Sequence, residues 1–468
     1  MARIERAERG DFETTIDLAI IGAGAAGLTA GLAAREAGAR EVLLLERDAT
    51  PSGSTALSAG LVPAAGTRFQ AEAGIDDTAE LFAADIMKKA HDEPDAALVK
   101  RVAEASGPAV EWLADRFALP FSLVSDFSYP GHARRRMHGM PSRSGQELVD
   151  RLRQASEDAG CDILCDSIVD TLYVGADGAI SGLSFTRPDG TREKLGTTVL
   201  ILACNGYGGN KELVAKHIPQ LADALYFGHQ GNRGEAVLWG EALGAKLSQL
   251  SGHQGHGSVA HPAASLLTWA TITEGGCQVN QAGERFSDES RGYSEQATEV
   301  LKQPDGIAFT IFDERIAGIC RQFEDFRDLE GVNAVIAAAT IGELADKLKL
   351  PSGRLVATME AFETAKVNGL ADPFGRDLNA APRLLAPFLA VRVTGALFHT
   401  QGGLVVDDDA RVVREDGTAF SNLYAAGGAA CGVSGAEASG YLSGNGLLTA
   451  VALGRIAGQA AGRSFAAR

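Results

Sequence analysis

At 468 residues, 45% hydrophobic and 22% charged, the chain has the composition of an ordinary globular protein, long enough for two domains. A formal net charge of -17 argues against a nucleic-acid or anionic-membrane partner, although an acidic protein can still carry a local basic site. The six cysteines show no CxxC pair and no metal-ligand spacing, so a reduced, cytoplasmic chain with no metal site is expected.

Residues 1 to 12 mix Arg and Glu without an apolar core, the pattern of neither a signal peptide nor a membrane span. No later run is long and apolar enough to suggest membrane insertion. Then Asp17-Leu-Ala-Ile-Ile21 runs into Gly22-Ala23-Gly24-Ala25-Ala26-Gly27, a helix-like stretch and Glu41-Val-Leu-Leu-Leu-Glu46. An apolar run ending at a glycine turn predicts a buried parallel strand. Gly22 permits the tight turn, Gly24 lets backbone approach a pyrophosphate, and Gly27 lets the helix pack on the strand. A carboxylate closing the second strand, Glu46 with Arg47 beside it, suits a ribose hydroxyl. A lone GxGxxG is weak, but strand, turn, helix and acid in this order predict a dinucleotide site.

Gly53, Ser54, Thr55, Ser58, Ala59 and Gly60 form a small, hydroxyl-rich run that reads either as a flexible loop or as the lining of a flat, polar-edged cofactor. Residues 77 to 115 follow helical spacing and read as scaffold. Residues 120 to 145 look loop-like and carry Arg134, Arg135, Arg136 and His138; such a charge cluster is a solvated face or, in the alternative, a catalytic use of the three arginines. A helix follows from 145 to 160, then a strand at 163 to 164 and, after Val169, alternating hairpin strands. Residues 198 to 203 form another buried strand that enters a glycine turn with Ala203, Asn205, Gly206 and Asn210, a second crossing of the cofactor.

Three of the nine histidines, 253, 256 and 261, open a region without dinucleotide patterning, an inserted substrate domain. Parallel-strand patterning returns at Ala390-Val-Arg-Val and at Asn422-Leu-Tyr-Ala-Ala-Gly427-Gly428. The expected division is a dinucleotide-binding first part at 1–225, an inserted substrate domain at 226–385 and a returning part at 386–468. The final helix is dense in Ala and Gly and suits close packing.

These motifs together resemble the flavoprotein family of soluble fumarate reductases, succinate dehydrogenase flavoprotein subunits and ketosteroid dehydrogenases. The resemblance runs in order through the glycine turn, Gly53-Ser-Thr-Ala-Leu-Ser-Ala-Gly60, Ile201-Leu-Ala-Cys-Asn-Gly206, Gly283-Glu-Arg-Phe-Ser-Asp-Glu289, His399-Thr-Gln-Gly-Gly403, Leu423-Tyr-Ala-Ala-Gly427 and Gly444-Asn-Gly-Leu-Leu448. It implies an α/β fold: a Rossmann-like, glutathione-reductase-like FAD-binding domain with an inserted α+β capping domain. It favours FAD over NAD through the late strand ending at Gly427, and adds Ser443, Asn445, Gly446 and Leu447 to the cofactor contacts. Related flavoproteins often carry an acid where Gly428 stands, so that hydroxyl contact must come from elsewhere. Members with covalent flavin use a histidine absent from residues 48 to 66, which implies noncovalent FAD.

By the same resemblance, His256 and His399 match substrate-binding histidines, while Tyr293 and Tyr441 stand where fumarate reducers carry arginines. A two-residue shift onto Arg291 would restore one of them. A phenol with a pKa near ~10 can pass an activated proton or stabilise an enolate, which is what desaturating a ketone needs. Tyr293 with Tyr441-Leu-Ser443 is most similar to the delta-4 (5-alpha) ketosteroid dehydrogenases; the delta-1 type's Tyr-Pro-Gly-Pro-Gly is missing. Tyr441 and Ser443 then divide proton abstraction and carbonyl binding, and Tyr293 completes the polar side. Three alternatives stay open: half-buried tyrosines without chemistry, a reductase or dehydrogenase of an unsaturated carboxylic or keto acid using Arg134 to Arg136, Arg143 or Arg291, and a flavoprotein that only carries electrons or binds a ligand. Without a CxxCH or an iron-sulfur cysteine run, electrons are expected to pass through a separate carrier, a quinone-like acceptor or oxygen.

Overall fold

Strand Thr15–Ile21 is buried on both faces, with Leu18, Ala19 and Ile20 fully enclosed, as an apolar run without alternation requires. It lies between Val42–Leu45 and the long strand Arg192–Leu202, parallel to both, in the computed structural model, which describes residues 2–125, 128–378 and 382–466. Asp162–Leu164 extends the parallel set beyond Val42–Leu45. Arg192–Leu202 changes neighbour along its length. Its first half pairs antiparallel with Ile180–Thr186, and its last residues pair parallel with Ala419–Ala425, the strand returning from the C-terminal part. The expected hairpin is Ile168–Val174 against Ile180–Thr186.

The helix Ala25–Ala37 follows the central strand and ends on Gly38 in the left-handed region at φ 118. The last helix, Asn445–Ala466, runs along it through small residues at four-residue intervals. A β-carbon placed on Gly454, Gly458 or Gly462 would lie 2.6, 2.2 or 2.6 Å from the carbonyl oxygens of Ala26, Ala30 and Ala34. Positions four apart share one helix face, so this glycine stripe is what lets the helices touch backbone to backbone.

The chain forms two compact units: Met1–Pro219 with Gly228–His253 and His399–Arg468, and Gln220–Phe227 with Gln254–Phe398. Residues 228–253, which the patterning grouped with the substrate domain, join the first unit because helix Glu235–Leu243 packs Gly240 on Leu404 and Leu247–Ser248 pairs with Gly403–Leu404. The second unit is α+β. Its strands Ile307–Asp313 and Phe388–Thr400 pair antiparallel over a core that includes Ile311, Phe312, Val391 and Val393. No described helix is long and apolar enough to cross a membrane.

The segment expected as loop at 120 to 145 contains two short strands instead. Met137–Gly139 pairs with both Val62–Pro63 and Ser122–Leu123. This turns Arg136 inward and leaves Arg134 and Arg135 exposed.

Candidate active site

The glycine turn is held from three sides. Glu46, 6% exposed, accepts the Ala23 amide at 2.8 Å and the Asp48 amide at 3.1 Å, so its carboxylate braces the turn. Thr55 Oγ1 accepts the Ala25 amide at 3.1 Å. A β-carbon on Gly27 would sit 1.9 Å from the Gly22 carbonyl oxygen, so only glycine permits this helix–strand approach. A helix leaves its first amides without internal acceptors. Among the described residues, the backbone bonds give no acceptor to the amides of Ala26 and Gly27. These are the donors a pyrophosphate would take, and the residues present fit the phosphate part of FAD.

Ser54 Oγ accepts from Asn205 Nδ2 at 3.0 Å and Asn232 Nδ2 at 2.8 Å, joining the expected loop 53–60 to the second glycine turn. Ser58 Oγ donates to the Thr55 carbonyl and accepts the Gly60 amide, with Ala59 between. Arg47 bonds Glu235 at 2.8 Å, and the other oxygen of Glu235 is buried without a partner among the described residues. Asn205 is in the left-handed region at φ 65, and a β-carbon on Gly428 would lie 2.2 Å from its Oδ1. Asn205 therefore occupies the space a side chain at 428 would need, which explains why glycine replaces an acid there. Gly427, at φ 59, packs on Ala26. Gly206 lies against the Thr400 hydroxyl, and Ala203 pairs with Ile21 through its amide. Asn210 caps helix Lys211–His217, accepting from Glu212 and Leu213 and donating to the Arg233 carbonyl, so its polar atoms serve the fold. Val169 is buried in strand Ile168–Val174.

At the start of the last helix, the His399 ring lies against the backbone of Gly446, where a β-carbon would be 2.9 Å from Cε1. Leu447 follows within the first turn. Asn445 is fully buried and its Oδ1 has no partner among the described residues. Tyr441, 6% exposed, meets the His399 ring edge-on with centroids 5.5 Å apart. Ser443 is buried, and its carbonyl accepts from His132 Nε2 at 3.0 Å. His399, Tyr441, Ser443 and Asn445 therefore come together in the first unit.

His256 and Tyr293 belong to the second unit. The rings of Phe227, Phe398, His256 and Tyr293 form one continuous stack, with successive centroids 5.0, 5.2 and 4.7 Å apart, and Trp269 meets His256 edge-on. His256 Nδ1 accepts the Ser258 amide, which leaves the proton of a neutral ring on Nε2. Burial lowers its pKa to about 3 and that of His399 to about 4.

Three of the five arginines weighed for a carboxylate are bonded elsewhere. Arg136 is fully buried between Asp77 and Asp85, Arg143 donates to three backbone carbonyls, and Arg134 donates to the carbonyls of Asp76 and Ala133. Arg291 is exposed, at the surface rather than in the place of Tyr293. Two polar residues the sequence reading passed over, Gln401 and Ser434, contact this cluster. Gln401 stands inside the quoted His399-Thr-Gln motif, and a polar side chain between a buried strand and two glycines was the available signal.

Burial likewise brings His132 and His138 to about 4, so with His256 and His399 four histidines are neutral in the fold and ordinary, at 6.5, when unfolded. The unfolded chain then binds more protons below pH 6.5, and stability falls as pH drops from there toward 4. By pH 5 each group should contribute about 2 kcal/mol of that loss. Denaturant titrations from pH 7.5 to 5 check this; a flat profile would show the rings to be solvated.

The chain matches the family described as FAD binding domain over residues 17–447, and it belongs to that family. It is 30% identical to a probable fumarate reductase, Ifc3, of Shewanella frigidimarina, over 98% of this chain and 77% of that protein. The open conformation of a flavocytochrome c3 fumarate reductase superposes with a TM-score of 0.81 at 29% identity, covering 97% of this chain and 79% of that one. A 3-ketosteroid-delta4-(5alpha)-dehydrogenase from Rhodococcus jostii RHA1, in complex with 4-androstene-3,17-dione, superposes with a TM-score of 0.76 at 26% identity, over 96% and 97% of the two chains. The protein is thus an FAD-dependent oxidoreductase of the fumarate reductase family acting on carbon–carbon double bonds, with the expected Rossmann-like domain and capping domain.

Proposed function

We propose that this chain, with FAD held noncovalently, forms or reduces a double bond alpha,beta to a ketone in a cyclic or steroid-like substrate. The observation behind it is the neutrality of the candidate groups: two histidines with pKa values near 4 and 3 and two tyrosines, with the arginines weighed for a carboxylate bonded elsewhere or exposed. Among the described residues, these groups give a dianion no countercharge, whereas a ketone oxygen needs only donors. When bound, FAD supplies hydride transfer to or from the substrate's beta carbon. Tyr441 moves the alpha proton, and Ser443 with His399 holds the carbonyl. By the resemblance, Tyr293 and His256 supply further polar contacts. Electrons enter or leave through a separate carrier, a quinone-like acceptor or oxygen.

A second reading, an unsaturated carboxylic or keto acid, draws on the 30% identity to the probable fumarate reductase. Anaerobic bleaching of the bound flavin by saturated cyclic ketones, set against succinate and other dicarboxylates, separates the two. Ketones alone should bleach it. Bleaching by succinate alone would overturn the ketone reading, and none by any organic donor, with no reoxidation by enones, would point to an electron carrier.

A further inference from the structure

Four side chains of the first unit form one hydrogen-bonded line. Asn445 Nδ2 donates to Ser434 Oγ at 2.9 Å, Ser434 Oγ donates to Gln401 Oε1 at 2.8 Å, and Gln401 Nε2 lies 2.8 Å from His399 Nδ1. Asn445, Ser434 and Gln401 are 0%, 1% and 4% exposed, so water does not compete for these bonds. The Gln401 amide oxygen is taken by Ser434, and its nitrogen can only donate, so Nδ1 must accept. A neutral imidazole has a single N–H, which then sits on Nε2. The competing contact is the Thr400 carbonyl, which would favour a proton on Nδ1, but at 3.4 Å it is the longer and weaker of the two.

The line can also run the other way. Turning both amides over would put a proton on Nδ1, leave a lone pair on Nε2, and change the free atom of Asn445 from acceptor Oδ1 to donor Nδ2. What Asn445 shows at one end is therefore tied to what His399 shows at the other. A substrate oxygen needs a donor from His399, which only the first direction provides.

We propose that Gln401 is a positioning residue that, with Ser434 and Asn445 behind it, fixes His399 as the Nε2–H tautomer and so makes it a donor to the substrate oxygen. The donor role rests on the ketone reading above, but the tautomer does not.

The test is nitrogen-15 NMR of histidine-labelled, FAD-loaded protein without substrate, with the His399 signal assigned by its loss in His399→Asn. The wild type should show Nε2–H. Gln401→Leu should move the ring toward Nδ1–H, drawn by the Thr400 carbonyl, and lower kcat/KM about tenfold with flavin content unchanged. The near-isosteric Gln401→Glu, which can only accept, should draw a proton onto Nδ1, raise the pKa of His399 and add an ionisation to the pH profile of kcat/KM. Nδ1–H in the wild type, or an unchanged tautomer in both variants, would overturn the proposal. Correct tautomers with no ketone turnover would instead count against the ketone reading alone.

Discussion

Tyr441→Phe is expected to leave the bound flavin spectrum intact and to slow flavin reduction by substrate about 100- to 10,000-fold, the range for removing a positioned acid or base. The substitution deletes one oxygen and keeps the ring. The edge-on contact with His399 at 5.5 Å, the burial of Leu442 and the anchoring of the Ser443 carbonyl by His132 all survive it. A loss of rate therefore reports the hydroxyl rather than a collapsed turn. Rapid mixing of oxidised enzyme with a saturated ketone, monitored through flavin absorbance, gives the rate of this one step. Near-normal reduction would remove Tyr441 from the mechanism and leave it as packing for His399. Ser443→Ala serves as the companion. If Ser443 only holds the carbonyl, its loss should raise KM more than it lowers the reduction rate.

Much of the first unit was legible because its signals are local. The apolar run before Gly22 could only be a strand enclosed on both faces, and the Ala and Gly spacing of the last helix announced a close neighbour. The contacts of Gly454, Gly458 and Gly462 with Ala26, Ala30 and Ala34 supply it. The positive φ of Gly22 and the close approach of Gly27 follow from the glycine spacing, whereas the bonds of Glu46 to the turn's own backbone do not. The tyrosines are singled out only by motif likeness, since nothing in the periodicity of residues 293 or 441 marks them. The line from Asn445 to His399 was not legible at all. It joins positions 399, 401, 434 and 445 through loops whose course no spacing rule determines. The three adjacent arginines show the same limit at short range. Arg134, Arg135 and Arg136 look alike in sequence, and only the three-residue strand that begins at Met137 decides which of them is enclosed. The acids that await Arg136 lie 59 and 51 positions earlier, beyond the reach of any helical or strand period.

Arg136→Leu is expected to destabilise the first unit by about 3–5 kcal/mol, the cost of leaving buried charge without its partner. The guanidinium bonds both oxygens of Asp77, at 2.7 and 2.9 Å, reaches Asp85 at 2.5 Å, and lies over the Phe82 ring at 4.7 Å. Asp77 keeps bonds from the Gln70 amide and the Thr78 backbone N–H in the variant, which cannot neutralise it. Arg134→Leu, on the exposed face of the same segment, should stay within about 0.5 kcal/mol and controls for the general effect of removing an arginine here. Adding Asp77→Leu to Arg136→Leu should recover part of the loss, because an apolar pair avoids the desolvation of the ionic one. Urea unfolding followed through flavin release gives the three midpoints. A loss below about 1 kcal/mol in the single variant would mean that the cluster is hydrated and that Arg136 can turn toward a ligand. A full loss would also bear on chemistry. The strand beside Arg136 pairs with Val62–Pro63, and a β-carbon on Gly444 would stand 2.7 Å from Cδ of Pro63. The buried ion pairs thus brace the turn that carries Tyr441 and Ser443, so a variant that still folds should reduce its flavin more slowly while Arg134→Leu does not.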